Sequence, residues 1–216
     1  ALGRMAGIEV LKGTSQIRYG PHTTGGVINY LSTPLPGKRA GYLRLGIGSD
    51  GERLLHGWLG ERAETGNGTL DFLAEYYRHE SDGYREILPA DGYGGSGETG
   101  FDRDEGMLKG AWTSSEGRHR LEFKAGITRL EADISYLGLS ETDFAENPYS
   151  RYAASREDVL HADHDRTYLR YALRLGPDWN LSWTGYYKHF HRNWYKLNDI
   201  RDLDLDGDGL TEGQTG

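Results

Sequence analysis

Apolar and polar residues alternate one by one along much of the chain. From Leu121 to Arg129, the residues Leu121, Phe123, Ala125 and Ile127 fall on one side, and Glu122, Lys124, Gly126 and Thr128 on the other. Leu169, Tyr171, Leu173 and Leu175 oppose Tyr168, Arg170, Ala172 and Arg174 in the same way, as Trp179, Leu181 and Trp183 oppose Asn180, Ser182 and Thr184. A repeat of two residues is the pattern of a strand with one apolar face. Weaker stretches run over Tyr42 to Gly48, Leu70 to Tyr77 and Met107 to Thr113, and Leu54 to Gly60 carries apolar residues on both faces. Together these predict seven strands.

The first 38 residues have a different character. Ile8 to Gly13 reads as a short strand ending at a glycine, and Gly25 to Leu31 as a second strand opened by a glycine pair. Pro34 and Pro36 close the segment, because proline cannot donate to a sheet ladder. A boundary is expected between Gly37 and Ala40, dividing the chain into residues 1–38 and 39–216.

The connections are as informative as the strands. A long stretch, His79 to Asp102, is followed by a tight turn at Ser114 to Gly117, then a longer loop, Ala132 to Asp165, and another tight turn at Gly176 to Asp178. Loops beyond about 12–15 residues are uncommon in compact domains and usually functional. Their alternation with short turns is the pattern of a transmembrane barrel. A soluble antiparallel sandwich with decorated loops at one end also alternates, but the chain has no amphipathic helices or second set of elements to cover the apolar face. Tyr76-Tyr77, Tyr186-Tyr187 and Trp194-Tyr195 lie toward strand ends, where amphipathic rings suit the headgroup level. Cross-strand packing in a soluble sheet accounts for the same rings as well. The expected fold class is all-β: part of a transmembrane antiparallel β-barrel, about seven strands of a large one.

Composition narrows the function. Among 216 residues there are 32 Gly, no Cys and a net charge of -8. Glycine at about twice its usual share of roughly 7% argues against a helical bundle, where each interior glycine costs about 1 kcal/mol relative to alanine. Without cysteine there is no disulfide framework, thiolate nucleophile or thiolate zinc site. An acidic chain with a sequence pI near 5.5 lacks the clustered cations that displace counterions from a phosphate backbone, so nucleic acid is not an expected partner. A mean hydropathy of -0.71, with no uninterrupted apolar run of 18 residues, excludes a spanning helix but leaves a barrel open, since barrel strands need only about 9–11 residues each. No signal-peptide pattern follows Ala1, as expected of a mature chain or one whose start is missing. There is no Gly-x-Ser-x-Gly elbow, phosphate-binding loop or His-Glu-x-x-His motif. The chain is therefore not expected to be an enzyme.

The N-terminal segment resembles the end of the plug domain of TonB-dependent outer-membrane receptors. The resemblance rests on Ile8-Glu9-Val10-Leu11-Lys12-Gly13, then Tyr19-Gly20, then Gly25-Gly26-Val27-Ile28-Asn29, with Thr14 where the family commonly has proline. Arg18 to Pro21, the Pro34-Leu35-Pro36 exit, and the loop running from Tyr136 to Ser140 through Asn147 to Tyr149 and Arg151-Tyr152 are similar to the ferric citrate receptor branch. The resemblance implies a 22-strand barrel in the bacterial outer membrane, in contact with its lipid and filled by the plug. It also implies capture of a ferric chelate, ferric citrate or another siderophore, by outer loops, and import powered by the inner-membrane TonB complex. On that reading the chain is a fragment holding the tail of the plug and about a third of a barrel, without the TonB-contacting segment.

Several residues are candidates for chemistry. Gly25 and Gly26 read as backbone devices that permit a sharp turn or close approach, or alternatively as a transport hinge. Glu9 and Lys12 could link plug to wall, or pair in solvent, where such pairs contribute about 0–1 kcal/mol. Arg151 and Arg156 lie beside Tyr149 and Tyr152, and a guanidinium fork pairs bidentately with carboxylates, so an anionic ferric chelate is a sensible ligand. The alternative is pairing with Asp143, Glu146, Glu157 or Asp158 nearby. His161, His164, His189 and His191 offer imidazoles for a metal, or serve as polar loop residues. Asp204, Asp206 and Asp208 with Gly209 match the first half of a calcium loop, but Thr215 stands where the bidentate Glu belongs. With Glu212 they form a calcium candidate or a solvated acidic loop. No resident cofactor is expected. Two other functions fit parts of the sequence: a passive or adhesive barrel whose calcium-binding loops contact surfaces, and a soluble calcium-dependent binding module.

Overall fold

The computed structural model describes residues 2–13, 25–89, 97 and 99–198. A single 3-10 turn, Leu2–Arg4, leads into β1 (Met5–Lys12), which pairs antiparallel with β2 (Gly26–Ser32). Then come β3 (Ala40–Ile47), β4 (Arg53–Thr65), β5 (Gly68–Ser81), the two-residue β6 (Glu86–Ile87), β7 (Phe101–Ser114) and β8 (His119–Ala132). A short helix α1 (Glu141–Glu146), β9 (Ser150–Arg151), β10 (Val159–Arg174) and β11 (Asn180–Tyr195) complete the order.

Seven strands form one antiparallel sheet in the order β11-β10-β8-β7-β5-β4-β3, each beside its neighbour in the chain apart from the loop strands β6 and β9. This up-and-down meander is a section of β-barrel wall, in the number of strands the alternation predicts. The connections on one side are short: residues 66–67, 115–118 and 175–179. On the other side they are residues 48–52, 82–100 and 133–158. Both long loops are shorter than the alternation alone predicts, because β5 continues to Ser81 and β10 begins at Val159.

The register sorts side chains onto two faces. On the outer face Leu70, Trp112, Leu121, Tyr171 and Trp183 fall in one row, and Phe72, Phe123 and Leu169 fall in the next. Ile47, Leu45, Leu43 and Leu59 extend the apolar surface to the β3 edge and are all exposed. The band covers about six residues of each strand, roughly 20 Å at about 3.3 Å per residue. Above it, toward the long loops, the same face turns charged. Arg78 bridges Glu80, Asp102 and Asp104, and Arg129 bridges Asp163 and Asp165.

The N-terminal segment meets the inner face through Arg4, Ser32 and Thr33, and the buried residues Leu73, Tyr77, Met107 and Ala111 lie on this side of β5 and β7. Period two splits each adjacent aromatic pair: Tyr76 is outer and bonds Asp104 through its hydroxyl, whereas Tyr77 is inner and buried. Only one member of each pair can therefore serve at a lipid interface. The two apolar faces of Leu54 to Gly60 are explained in the same way. Leu55 and Leu59 lie on the outer face, while His56 and Trp58 are inner and pack on Tyr42, with ring centroids 5.3 and 6.4 Å away.

Candidate functional site

Two groups of residues stand out: a charged junction on the inner face and a loop cluster at the long-connection end. The junction centres on Arg4, which the 3-10 turn presents to the wall and which is only 3% exposed. Its Nη1 donates to Glu75 Oε2 at 2.9 Å, and its Nε donates to Glu105. The other oxygen of Glu75 accepts from Thr33 Oγ1 and lies beside His56 Nε2, both at 2.8 Å. Lys109 donates to the carbonyls of Ser32 and Thr33, and Lys124 Nζ donates to Ser32 Oγ at 2.7 Å. The segment is thus held at both ends, ahead of β1 and beyond β2. Buried charges persist only when paired and hydrogen-bonded, and each carboxylate here has a cation against it.

The other N-terminal candidates are placed within this segment. Glu9 accepts from Asn29 Nδ2 at 2.9 Å across the β1–β2 pair, so its hydrogen bond lies inside the hairpin, and it is Arg4 that reaches the wall. A Cβ on Gly26 would come 2.8 Å from the Leu11 carbonyl, a close approach, while at Gly25 nothing among the described residues lies within 4 Å. Gly13 adopts φ +85° at the strand end, beside Lys12. Tyr19 and Gly20 lie outside the described residues.

The outer cluster is built by two loops that share a parallel strand pair, β6 with β9. Glu86 N–H donates to the Tyr149 carbonyl at 3.0 Å, and Leu88 N–H to the Arg151 carbonyl at 2.8 Å. This register sets Tyr84 edge-on to Tyr149 with centroids 6.3 Å apart, and the Arg85 guanidinium lies 4.9 Å from the Tyr84 ring centre. Burial, and then repulsion from Arg85, lower the pKa of Arg151 below the usual guanidinium value. Arg151 makes no ion pair among the described residues, and its Nη1 donates to the carbonyls of Pro148 and Ser150. Arg85 Nε is buried without a hydrogen-bond partner. Two neighbouring guanidiniums with no ion pair among the described residues, flanked by two tyrosines, form an arrangement suited to a polycarboxylate.

Tyr149 and Arg151 are thus brought together with Tyr84 and Arg85, which sequence reasoning missed because they belong to a different loop. Tyr152 instead closes the loop around α1, where Ser140 is the N-cap. Its hydroxyl accepts from Ser140 N–H and donates to Asp143 at 2.5 Å. Arg156 is the C-cap of the 3-10 turn Ala153–Ser155. Asp158 pins the base of the loop by accepting from Tyr136 N–H at 3.1 Å and Leu197 N–H at 2.7 Å.

The Tyr152 hydroxyl and then Ser140 hold the Asp143 carboxyl below its usual range. A depressed folded pKa contributes stability above the unfolded value, about 3.9, that is lost as pH falls through the folded value. Amide protection over residues 136–152, taken relative to the intrinsic exchange rate at each pH, is therefore expected to stay flat from pH 7 to 5 and to fall only below about pH 4. In Tyr152→Phe the folded pKa returns toward the unfolded value, so protection should be lower at neutral pH and its loss below about pH 4 should shrink; an unchanged profile would show that this hydroxyl does not set it.

His189 and His191 share the outer face, whereas His161 and His164 fall on opposite faces of β10. His161 lies 3.5 Å from Glu131, and His189 lies 3.9 Å from Asp165. No group of three metal-ligating side chains occurs among the described residues. Asp204, Asp206, Asp208 and Glu212 lie outside those residues.

No protein-family model matches the chain, and no curated protein matches it in sequence. Among solved structures the chain is similar to the ferric citrate transporter FecA in its unliganded form, with a TM-score of 0.69 and 21% identity. The match covers 93% of this chain and 29% of that one, so this chain spans about three tenths of the transporter's length. At this identity the likeness is one of fold: an antiparallel barrel wall with an inner segment seated against it.

Proposed function

We propose that the chain is part of a bacterial outer-membrane receptor that imports a ferric chelate, ferric citrate or another siderophore, with energy delivered by the inner-membrane TonB complex. On this reading residues 1–38 are the end of a plug, residues 39–216 are the first part of the barrel, and the apolar outer band faces outer-membrane lipid. The observation that carries the reading is the buried Arg4–Glu75–Glu105 junction, which fixes an inner segment to the wall. A passive or adhesive barrel has no use for such a stopper. The transporter fold and the paired tyrosine–arginine loop cluster support the same conclusion.

Replacing both Arg85 and Arg151 with Gln in the full-length receptor tests it. Each charge-assisted hydrogen bond contributes about 1.5–3 kcal/mol, so affinity for ferric citrate is expected to fall tenfold or more by titration calorimetry. Unchanged affinity would remove the loop cluster from the binding surface. Absence of ferric-chelate binding by the unsubstituted receptor would overturn the proposed function itself.

A further inference from the structure

The inner face of β11 ends at Trp194, which closes the cross-strand row Phe101, Ala132, Leu160 and Trp194. Just beyond this row, Tyr136 from the loop 133–158 stands edge-on to the indole, with ring centroids 5.6 Å apart and planes at 86°. Two rings at right angles frame a corner, and Lys196 fills it. Its Nζ lies 3.1 Å from the Tyr136 ring centre and 4.2 Å from that of Trp194. An ammonium is drawn to the negative face of an aromatic ring. Lys196 has no ion pair among the described residues, so the rings are what hold it. Asp158 ties the same two segments by a second route. It is only 2% exposed, and its carboxylate accepts from both Tyr136 N–H and Leu197 N–H.

Neither tie belongs to the wall. The β10–β11 ladder has its last rung at Val159 and Tyr195, and both ties join residues beyond it, Tyr136 and Asp158 on one side with Lys196 and Leu197 on the other. They act on the connections. The same loop is also paired with residues 82–100 through β6 and β9. Loop 133–158 is therefore held between two neighbours, one reached through that short ladder and the other through the corner around Lys196. The corner is also built to open. Tyr136 is 51% exposed, so water reaches one wall of it, while Trp194 Nε1 is buried without a hydrogen-bond partner. A buried unsatisfied donor is costly, and opening the corner would admit water to it. The closed arrangement thus carries a penalty that the attraction of the rings for Lys196 offsets.

We propose that Tyr136, Trp194 and Lys196 form a releasable latch that makes loop 133–158 and the exit of β11, residues 196–198, move as one unit. A displacement of the loop at Tyr149 and Arg151 is then felt at Lys196. Coupling between two sites is reciprocal, so a disturbance at Lys196 is felt in the loop. The inference concerns the mechanics of the long-connection end and does not depend on what the chain binds. To test it, amide exchange of the full-length protein is compared over residues 133–152 and 194–198 in the unsubstituted chain, Lys196→Met, Tyr136→Leu and the double variant. Met keeps an unbranched stem and removes the charge. Either single substitution should accelerate exchange in both segments about threefold or more, the scale of one exposed cation–π contact, while residues 165–174 of β10 stay protected. The double variant should exceed the larger single effect by little, as expected of residues acting through one contact. Lys196→Arg, which keeps a cation for the rings, should restore most of the protection. Acceleration confined to the segment carrying the substitution would overturn the latch, because the two ends would then move independently. So would unchanged exchange in Lys196→Met, which would show that the ammonium holds nothing. Loss of protection along the whole β10–β11 ladder would place the role in the wall and overturn it as well.

Discussion

Replacing Arg4 with Ala is expected to loosen the N-terminal segment from the wall more than any other single substitution. The change removes the guanidinium shared by two carboxylates, Glu75 and Glu105, both almost wholly buried. Removing one partner from a buried ionic cluster costs up to about 3–5 kcal/mol, because the remaining charge is less well compensated. In the full-length protein, amide exchange over β1 and β2 should accelerate sharply while the β7–β8 pair stays protected. Arg4→Lys should fall between, since an ammonium keeps the charge but cannot present two nitrogens in a fixed fork. Unchanged protection of β1 and β2 in Arg4→Ala would show that the hydrogen bonds of Ser32 and Thr33 suffice to hold the segment.

The second large effect is expected at Gly68, which opens β5 after the two-residue turn. Its φ is +150°, and a Cβ there would overlap the Thr113 carbonyl oxygen and come 2.9 Å from the Ser114 Cα. Both are backbone atoms of β7, paired with β5 through the Gly68–Ser114 register, so neither can yield without opening the sheet. Gly68→Ala should therefore cost at least the roughly 1–3 kcal/mol of a strained backbone position. Its readout is loss of the heat-resistant folded band on electrophoresis. Gly110→Ala, on the same strand pair, provides the contrast. There a Cβ would come no nearer than 3.7 Å to its closest neighbour, the Asp71 carbonyl oxygen, an ordinary van der Waals distance. Equal behaviour of the two variants would show that the close approach at Gly68 does not govern stability.

Strand identity was legible wherever the apolar band crosses the sheet, because Leu121, Phe123 and Ile127 report the pleat directly. Strand length was not. His161, Ala162, Asp163, His164 and Asp165 read as loop, yet all five are in β10. Where the outer face leaves the apolar band its residues become charged, so hydropathy stops alternating while backbone pairing continues. The junction was hidden for a different reason: Arg4 meets Glu75 and Glu105 from 71 and 101 residues away. Local spacing instead pointed to Glu9 and Lys12, and Glu9 is hydrogen-bonded within its own hairpin. At the outer cluster half the arrangement was legible. Tyr149 and Arg151 stand out in their loop, but Tyr84 and Arg85 join them only because β6 and β9 pair.

That parallel pair also limits how the surface could be engineered. Each loop supplies two residues of a ladder that neither can form alone, so the loops are one structural unit divided across the chain. Transplanting residues 133–158 into another barrel would carry over Tyr149 and Arg151 without the strand that orients them. Only a graft that moves residues 82–100 together with them would transfer the whole surface. Diversifying one loop at a time should mostly yield variants with a broken clasp, whereas diversifying both around a preserved Glu86–Ile87 and Ser150–Arg151 ladder would vary the surface on an intact frame.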